Sequence, residues 1–243
     1  SMINVIVPMC GVSNRFTAAD YTVPKYVLDV DGVPMYAAAV NSLNLTIAHQ
    51  LYFVVTVHMD AEYNLESNIK SHFPDAIVVK LLHATNGQAE TLMKTRQYVH
   101  ASSGTLVLCC DQMVEYNSID YNKLLLDDSI SGSLLTFDNS GDEPAWTYVR
   151  MDMMNTITDI ACKVPISTTP IVGTYHWRSS DWMYRDLAEL IRRKIYVNNE
   201  LYICPAVLIS MRNANKPWIG FPVERMISLG TPEDYEAYTH NNI

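Results

Sequence analysis

Apolar, strand-like runs separated by segments of helix length restrict this chain to a layered α/β fold. In the first half, strands are expected over 3–7, 51–57, 76–82 and 105–110. Helices are expected over 33–49, with Pro34 in the first turn, over 61–72, and over 87–99, opened by Gly87. Apolar strands alternating with helices imply βαβ units, and so a Rossmann-like mixed, mostly parallel central sheet flanked by helices. The second half is less regular. Strands are expected over 132–137, 146–150, 156–162, 171–176 and 218–222, and helices over 181–193, 206–212 and 232–238, the last capped by Thr231. In 181–193 Leu187, Leu190 and Ile191 share one face, with Arg185, Glu189 and Arg192 on the other. A chain of 243 residues suits one such domain, taken as 2–243 with Ser1 set aside, whose halves divide near residue 111.

Hydrophobic residues at 49% and charged residues at 18% describe a folded protein rather than a disordered one. A net charge of −9 argues against nucleic-acid and anionic-membrane partners, but a local cluster of Arg15, Lys25 and Lys163 still suits a nucleotide. No apolar run approaches the roughly 18 residues of a membrane span, and no basic-then-apolar leader is apparent, so a soluble, cytoplasmic protein is expected. The five cysteines form no CxxC pair and have no metal-ligand spacing; reduced, mostly buried thiols are expected.

Chemistry concentrates first in Pro8-Met9-Cys10-Gly11-Val12-Ser13-Asn14-Arg15-Phe16, followed by Pro24-Lys25. A strand ending in a Gly-containing loop can turn successive N–H groups toward one point and form an anion nest. Two cations nearby, Arg15 and Lys25, suit a triphosphate, whose charge must be matched on binding and during transfer. Asp111 directly follows the apolar run 105–110, at a strand's carboxyl end where ligands of open α/β sheets bind, and a carboxylate there suits Mg²⁺. Gly87-Gln88 opens a helix, where glycine lets backbone approach a ligand and the Gln88 amide can both donate and accept against a base edge. Glu90 and Lys94 are spaced for an exposed helix ion pair.

These segments, in this order, resemble the signature of the sugar-phosphate nucleotidyltransferase family (the nucleoside-diphospho-sugar pyrophosphorylases), P-A-A-G-x-G-x-R-[FL] and then P-K. Met9 and Cys10 stand in place of the Ala pair, and Ser13 in place of the second Gly. The resemblance implies that Met9 through Asn14, with Gly87 and Gln88, hold the nucleotide, that Arg15 and Lys25 are catalytic, and that Asp111 binds Mg²⁺. It continues through Ala161-Cys162-Lys163-Val164-Pro165, where the family's E-K-P supplies a lysine to the acceptor's phosphate; Cys162 replaces the Glu. Val197-Asn198-Asn199-Glu200-Leu201-Tyr202 resembles the acceptor-pocket segment and makes Glu200 an acceptor-binding candidate. Leu229-Gly230-Thr231-Pro232-Glu233-Asp234 resembles a turn whose leading Asp often gives the second metal ligand, a place held here by Ser228. Either Asp111 works with water and phosphate oxygens, or Glu200 or Glu224 substitutes.

The activity implied is transfer of a nucleoside monophosphate from a nucleoside triphosphate to a phosphorylated small acceptor, foremost a sugar 1-phosphate, with release of pyrophosphate. A cytidylyltransferase acting on a phosphorylated amino alcohol or amino acid derivative is the near alternative. A nucleotide-sugar glycosyltransferase would normally carry D-x-D where this chain has Asp111-Gln112-Met113, and a non-catalytic nucleotide-binding relative would tolerate Ser13, Cys162 and Ser228.

Overall fold

The computed structural model describes residues 2–11, 13–141 and 143–241; Val12, one of the expected loop residues, lies outside them. The first half runs β1 (Ile3–Pro8), α1 (Asn14–Ala18), β2 (Asp29–Val30), β3 (Val33–Pro34), α2 (Met35–Ser42), β4 (His49–Thr56), α3 (Val57–Tyr63), α4 (Leu65–His72), β5 (Ile77–Leu81), α5 (Gln88–Met93) and β6 (Thr105–Val107). The second continues β7 (Gln112–Glu115), α6 (Ser118–Leu124), β8 (Gly132–Thr136), β9 (Tyr148–Met151), β10 (Ile157–Ala161) and β11 (Ile171–Trp177). It closes with α7 (Ser180–Arg192), α8 (Cys204–Asn213), β12 (Trp218–Pro222), β13 (Arg225–Ser228) and α9 (Pro232–Asn241).

Among the described residues a seven-stranded sheet has the order β12-β8-β11-β6-β1-β4-β5, so strands from both halves share one sheet. Neighbours are parallel except β11, which runs antiparallel to β6 and β8. The middle strands of the sheet are buried on both faces because apolar residues predominate along them. Val5, Val7, Phe53 and Val55 pack into one core with Tyr36 of α2 and Leu65 and Ile69 of α4. Ile6, Tyr52 and Val54 point the other way, into a core with Leu92 of α5, Leu187 and Leu190 of α7 and Val207 of α8. The period-two alternation of a strand divides each run between two layers of helices.

Local chemistry sets where elements end. The helix expected over 33–49 is only α2, with Pro34 as its N-cap, and Asn44 beyond it adopts a φ of 47°. The helix expected over 61–72 is two, α3 and α4, broken at Asn64, whose φ is 52°. Asparagine tolerates the left-handed region better than most residues, and the backbone cannot continue a right-handed helix through it. α5 stops at Met93 instead of 99. Glu90 accepts from the Asn86 N–H at 2.9 Å, so its carboxylate caps the loop before α5. Thr231 does cap α9, its Oγ1 accepting from the Asp234 N–H at 3.1 Å.

Residues that the sequence left unassigned form β7 and β13, which pair antiparallel from Gln112 opposite Ser228 to Glu115 opposite Arg225. This ribbon carries the segment after Asp111 alongside the segment before Gly230. The reduced-thiol expectation also fails in part. Cys162 and Cys204 form a disulfide with Cα atoms 6.0 Å apart, while Cys10, Cys109 and Cys110 are free. The fold brings the end of β10 against the first residue of α8, a meeting that a separation of 42 residues does not advertise.

Candidate active site

β1 and β6 are adjacent and parallel, so the loop after Pro8 and the segment ending at Asp111 leave the sheet at the same edge. β11 runs the other way, so its first residues reach that edge too, and the Gly173 N–H donates to Gln112 Oε1 at 2.6 Å. A side chain at Gly173 would come within 2.9 Å of Cys109 Cβ, so glycine lets β11 close against the Asp111 segment. A cavity of about 810 Å³ opens there.

Lys25 and Asp111 meet on its wall, Nζ donating to Oδ2 at 2.7 Å, with the two side chains 25% and 16% exposed. The other carboxylate oxygen, Oδ1, accepts from the Cys109 thiol at 2.5 Å. Burial would raise the Asp111 carboxyl, but the Lys25 ammonium and the Cys109 hydrogen bond bring it below the ordinary carboxylate range. Burial likewise lowers the Lys25 ammonium, and the charge of Asp111 more than restores it. The pair is ionised and, being half-buried, only weakly screened. Behind it the Leu229 N–H donates to the Asp111 carbonyl at 2.8 Å. A Cβ at Gly230 would lie 2.9 Å from Asp111 Oδ2 and 3.9 Å from Ser228 Oγ, so carboxylate and hydroxyl face one point. Ser228 Oγ in turn donates to Asp234 Oδ2 at 3.2 Å.

Ser13, where the family signature has glycine, has its own job. Its Oγ accepts from the Lys25 N–H at 3.0 Å, tying the opening loop to the segment that carries the lysine. Ser13, Asn14 and Arg15 line the cavity, while Phe16 buries its ring beneath them. Met9 is 1% exposed in the core, and its N–H donates to the Val54 carbonyl at 2.7 Å, so neither is left for a ligand. Cys10 packs against the second core, and Gly11 is exposed at the loop tip.

Gln88 and Lys163 line the same cavity. Gly87 has a φ of 123°, and a Cβ there would lie 2.6 Å from the Leu201 carbonyl oxygen. Glycine permits this approach, and two backbone bonds fasten it: Leu201 N–H to Asn86 O at 3.0 Å and Ala89 N–H to Leu201 O at 3.0 Å. The partner segment arrives by a tight turn. Asn198 and Asn199 have φ of 49° and 63°, and Val197 and Glu200 exchange backbone bonds of 2.9 and 3.0 Å, the pattern of a turn with two left-handed central residues. The Val-Asn-Asn-Glu motif is thus a turn that delivers Leu201 to Gly87 and Tyr202 to the cavity. Glu200 itself is exposed, outside the cavity lining.

Lys163 adopts a φ of 62°, its ammonium donating to the Ala145 carbonyl and lying 5.3 Å from the centre of the Tyr202 ring. Burial lowers its affinity for a proton, and the charge of Arg15 adds to this while those of Glu200 and Asp111 oppose it. Ser13, Arg15, Lys25, Asp111, Gln88 and Lys163 therefore converge on one cavity. Sequence reading did not single out Trp146, Tyr175, Tyr202, Glu143 or Asp234, which also line it. Of these only Tyr202 and Asp234 sat in segments already marked; Trp146 and Tyr175 are ordinary core-like residues and Glu143 an exposed loop carboxylate until the fold places them.

Two histidines lie outside the cavity lining. His58 pairs with Glu62 at 3.3 Å on an exposed helix, and buried His176 shares a hydrogen bond of 2.8 Å between Nδ1 and Ser133 Oγ. Among the described residues no helix is long and apolar enough to cross a membrane.

No protein-family model and no curated protein matches the chain. Solved structures do. A nucleoside-diphosphate-sugar pyrophosphorylase from Vibrio cholerae RC9 superposes with a TM-score of 0.77 at 23% identity, over 97% of this chain and 99% of that one. A UDP-glucose pyrophosphorylase complexed with UDP-glucose gives 0.80 at 14% identity, over 100% and 98%. The inositol-1-phosphate CTP transferase from T. maritima gives 0.75 at 16%, over 98% and 94%. Across nearly its whole length, the chain has the fold of these nucleotidyltransferase structures.

Proposed function

We propose that this chain transfers a nucleoside monophosphate from a nucleoside triphosphate to a phosphorylated small acceptor, foremost a sugar 1-phosphate, and releases pyrophosphate. One observation carries the reading: the Lys25–Asp111 pair lines a single cavity together with Arg15, Gln88 and Lys163. Anions enter a protein with a net charge of −9 only where cations are gathered, and here three are.

The acceptor's phosphate is the nucleophile. Its second pKa is near 6, so it is largely dianionic at neutral pH and no general base is required. An oxygen of this phosphate attacks the α-phosphorus in line, and the bond to the β-phosphate oxygen breaks. Arg15 and Lys25 stabilise the charge that moves onto the leaving pyrophosphate, and Lys163 holds the acceptor's phosphate near its target. Gln88 reads the base. The carboxylate of Asp111 and the hydroxyl of Ser228 are hard oxygen donors, so this corner fits Mg²⁺, with Lys25 released to the triphosphate. When bound, Mg²⁺ would supply further neutralisation of phosphate charge.

A second reading has its own support. Trp146, Tyr175 and Tyr202, with the carboxylate of Glu143, line the acceptor side, and aromatic faces with an acid suit a cationic amino alcohol. Phosphorylated amino alcohols therefore belong beside sugar phosphates in the test. That test is pyrophosphate release from the four ribonucleoside triphosphates and dTTP against both acceptor classes. Release that requires one matched pair supports the reading; silence across the whole matrix overturns it. With a productive pair, Gln88→Ala should relax the choice of base and spare the acceptor's KM. Lys163→Ala should weaken the acceptor by about 1.5–3 kcal/mol, the worth of a charge-assisted hydrogen bond. The reverse pattern would exchange the two assignments.

A further inference from the structure

We infer that the Cys162–Cys204 disulfide is a reducible clamp that holds Lys163 in place, so that its redox state sets the affinity for a phosphorylated acceptor. This rests on the reading of Lys163 as the acceptor-phosphate residue. Both sulfurs belong to the cavity wall. Cys162 immediately precedes Lys163, and Cys204 follows Tyr202 by two residues, so the bridge joins the two segments whose side chains meet as the Lys163–Tyr202 cation–ring contact. Lys163 leaves β10 in a left-handed conformation that a lysine adopts only when its surroundings impose it. Its ammonium donates to the Ala145 carbonyl and lies over the Tyr202 ring. The anchor on the other side is firm, because Cys204 is buried at the start of α8, which packs with α7 in the second core.

The base-reading side does not depend on this bridge. Gln88 is positioned by the backbone bonds between Asn86, Ala89 and Leu201, which survive reduction. Loss of the disulfide should therefore act on one substrate and not on the other. Access is also unequal: Cys162 is partly exposed, whereas Cys204 is buried. A dithiol reductant would attack Cys162 Sγ as its thiolate, breaking the S–S bond and expelling Cys204 as a thiolate that takes up a proton. The reductant's second thiol then displaces Cys162, leaving two protein thiols and an oxidised, cyclic reductant, two electrons having passed.

The experiment uses the full chain equilibrated with oxidised glutathione and then with dithiothreitol. Alkylation in denaturant should find three free thiols of five before reduction and all five after. Hydrogen exchange should quicken at 161–166 and 202–206 on reduction, while β1, β4 and the loop from Ser13 to Phe16 stay as protected as before. With a productive substrate pair, reduction should raise the acceptor's KM at least about tenfold, the loss of one charge-assisted contact, with the nucleotide's KM nearly unchanged. Reoxidation should restore the acceptor's KM. Cys162→Ser with Cys204→Ser should show the reduced value and no response to dithiothreitol. Five free thiols after glutathione treatment would overturn the clamp, as would unchanged exchange at 161–166. Loss of protection throughout the core would overturn it too, by making the bridge a global staple. Thiol counts and exchange need no turnover, so a failure of the proposed activity would not be mistaken for a failure of the clamp.

Discussion

Lys25 shows what one residue is asked to do. Its ammonium pairs with Asp111, and in the proposed reaction it neutralises the leaving pyrophosphate. Lys25→Ala should therefore cut pyrophosphate release about a hundred- to a thousandfold, the usual cost of removing one transition-state electrostatic contact. Nucleotide affinity, measured by titration, should change far less; weaker binding at an unchanged rate would make Lys25 a docking residue. His176 gives a prediction about stability. Burial, with Arg178 nearby, pushes its pKa from 6.5 down to about 3. A depressed pKa means that the unfolded chain takes up a proton that the folded chain refuses. The contribution is intact above about pH 6.5 and is lost as pH falls toward 3. In urea unfolding, the wild type should lose about 1.4 kcal/mol more per pH unit between roughly pH 6 and 4 than His176→Asn. Parallel pH profiles would show that His176 is not the group responsible.

Elements explain which parts were legible. β1, β4, β5 and β6 could be read because buried parallel strands are runs of mostly apolar residues, a pattern few other structures need. The opening loop and Asp111 were legible because they follow the ends of such strands, and Lys25 because Pro24-Lys25 resembles a family signature. Helix ends were less so, because Asn44 and Asn64 stop a helix by a backbone choice that an apolar pattern does not display. The β7–β13 ribbon and the disulfide were hidden because each joins segments far apart in sequence and is fixed by the sheet. Gly87 was marked as a ligand-approach glycine; the structure gives it a packing task, to admit Leu201. Gly87→Ala should combine strain at positive φ with a clash against backbone and destabilise by about 1–3 kcal/mol or more. Calorimetry should show the loss, and the choice of base should loosen with it, because Gln88 is set by the same clamp. An alanine variant with unchanged melting temperature would mean that the segment around Leu201 is not fastened there.

At the scale of the molecule, one sheet brings Arg15 and Lys25 of the first half and Lys163 of the second to one cavity, where the proposed reaction would join two anionic substrates on an acidic protein. The fold is shared with nucleotidyltransferase structures at 14–23% identity, and the activity rests on the chemistry of this cavity. The central claim is direct attack by the acceptor's phosphate on the α-phosphorus. It is tested most directly by following oxygen in a productive pair. With ¹⁸O in the non-bridging positions of the acceptor's phosphate, mass spectrometry should find every labelled oxygen in the nucleoside-diphosphate product and none in the pyrophosphate. Label in the pyrophosphate, or release of a nucleoside diphosphate in its place, would contradict the account.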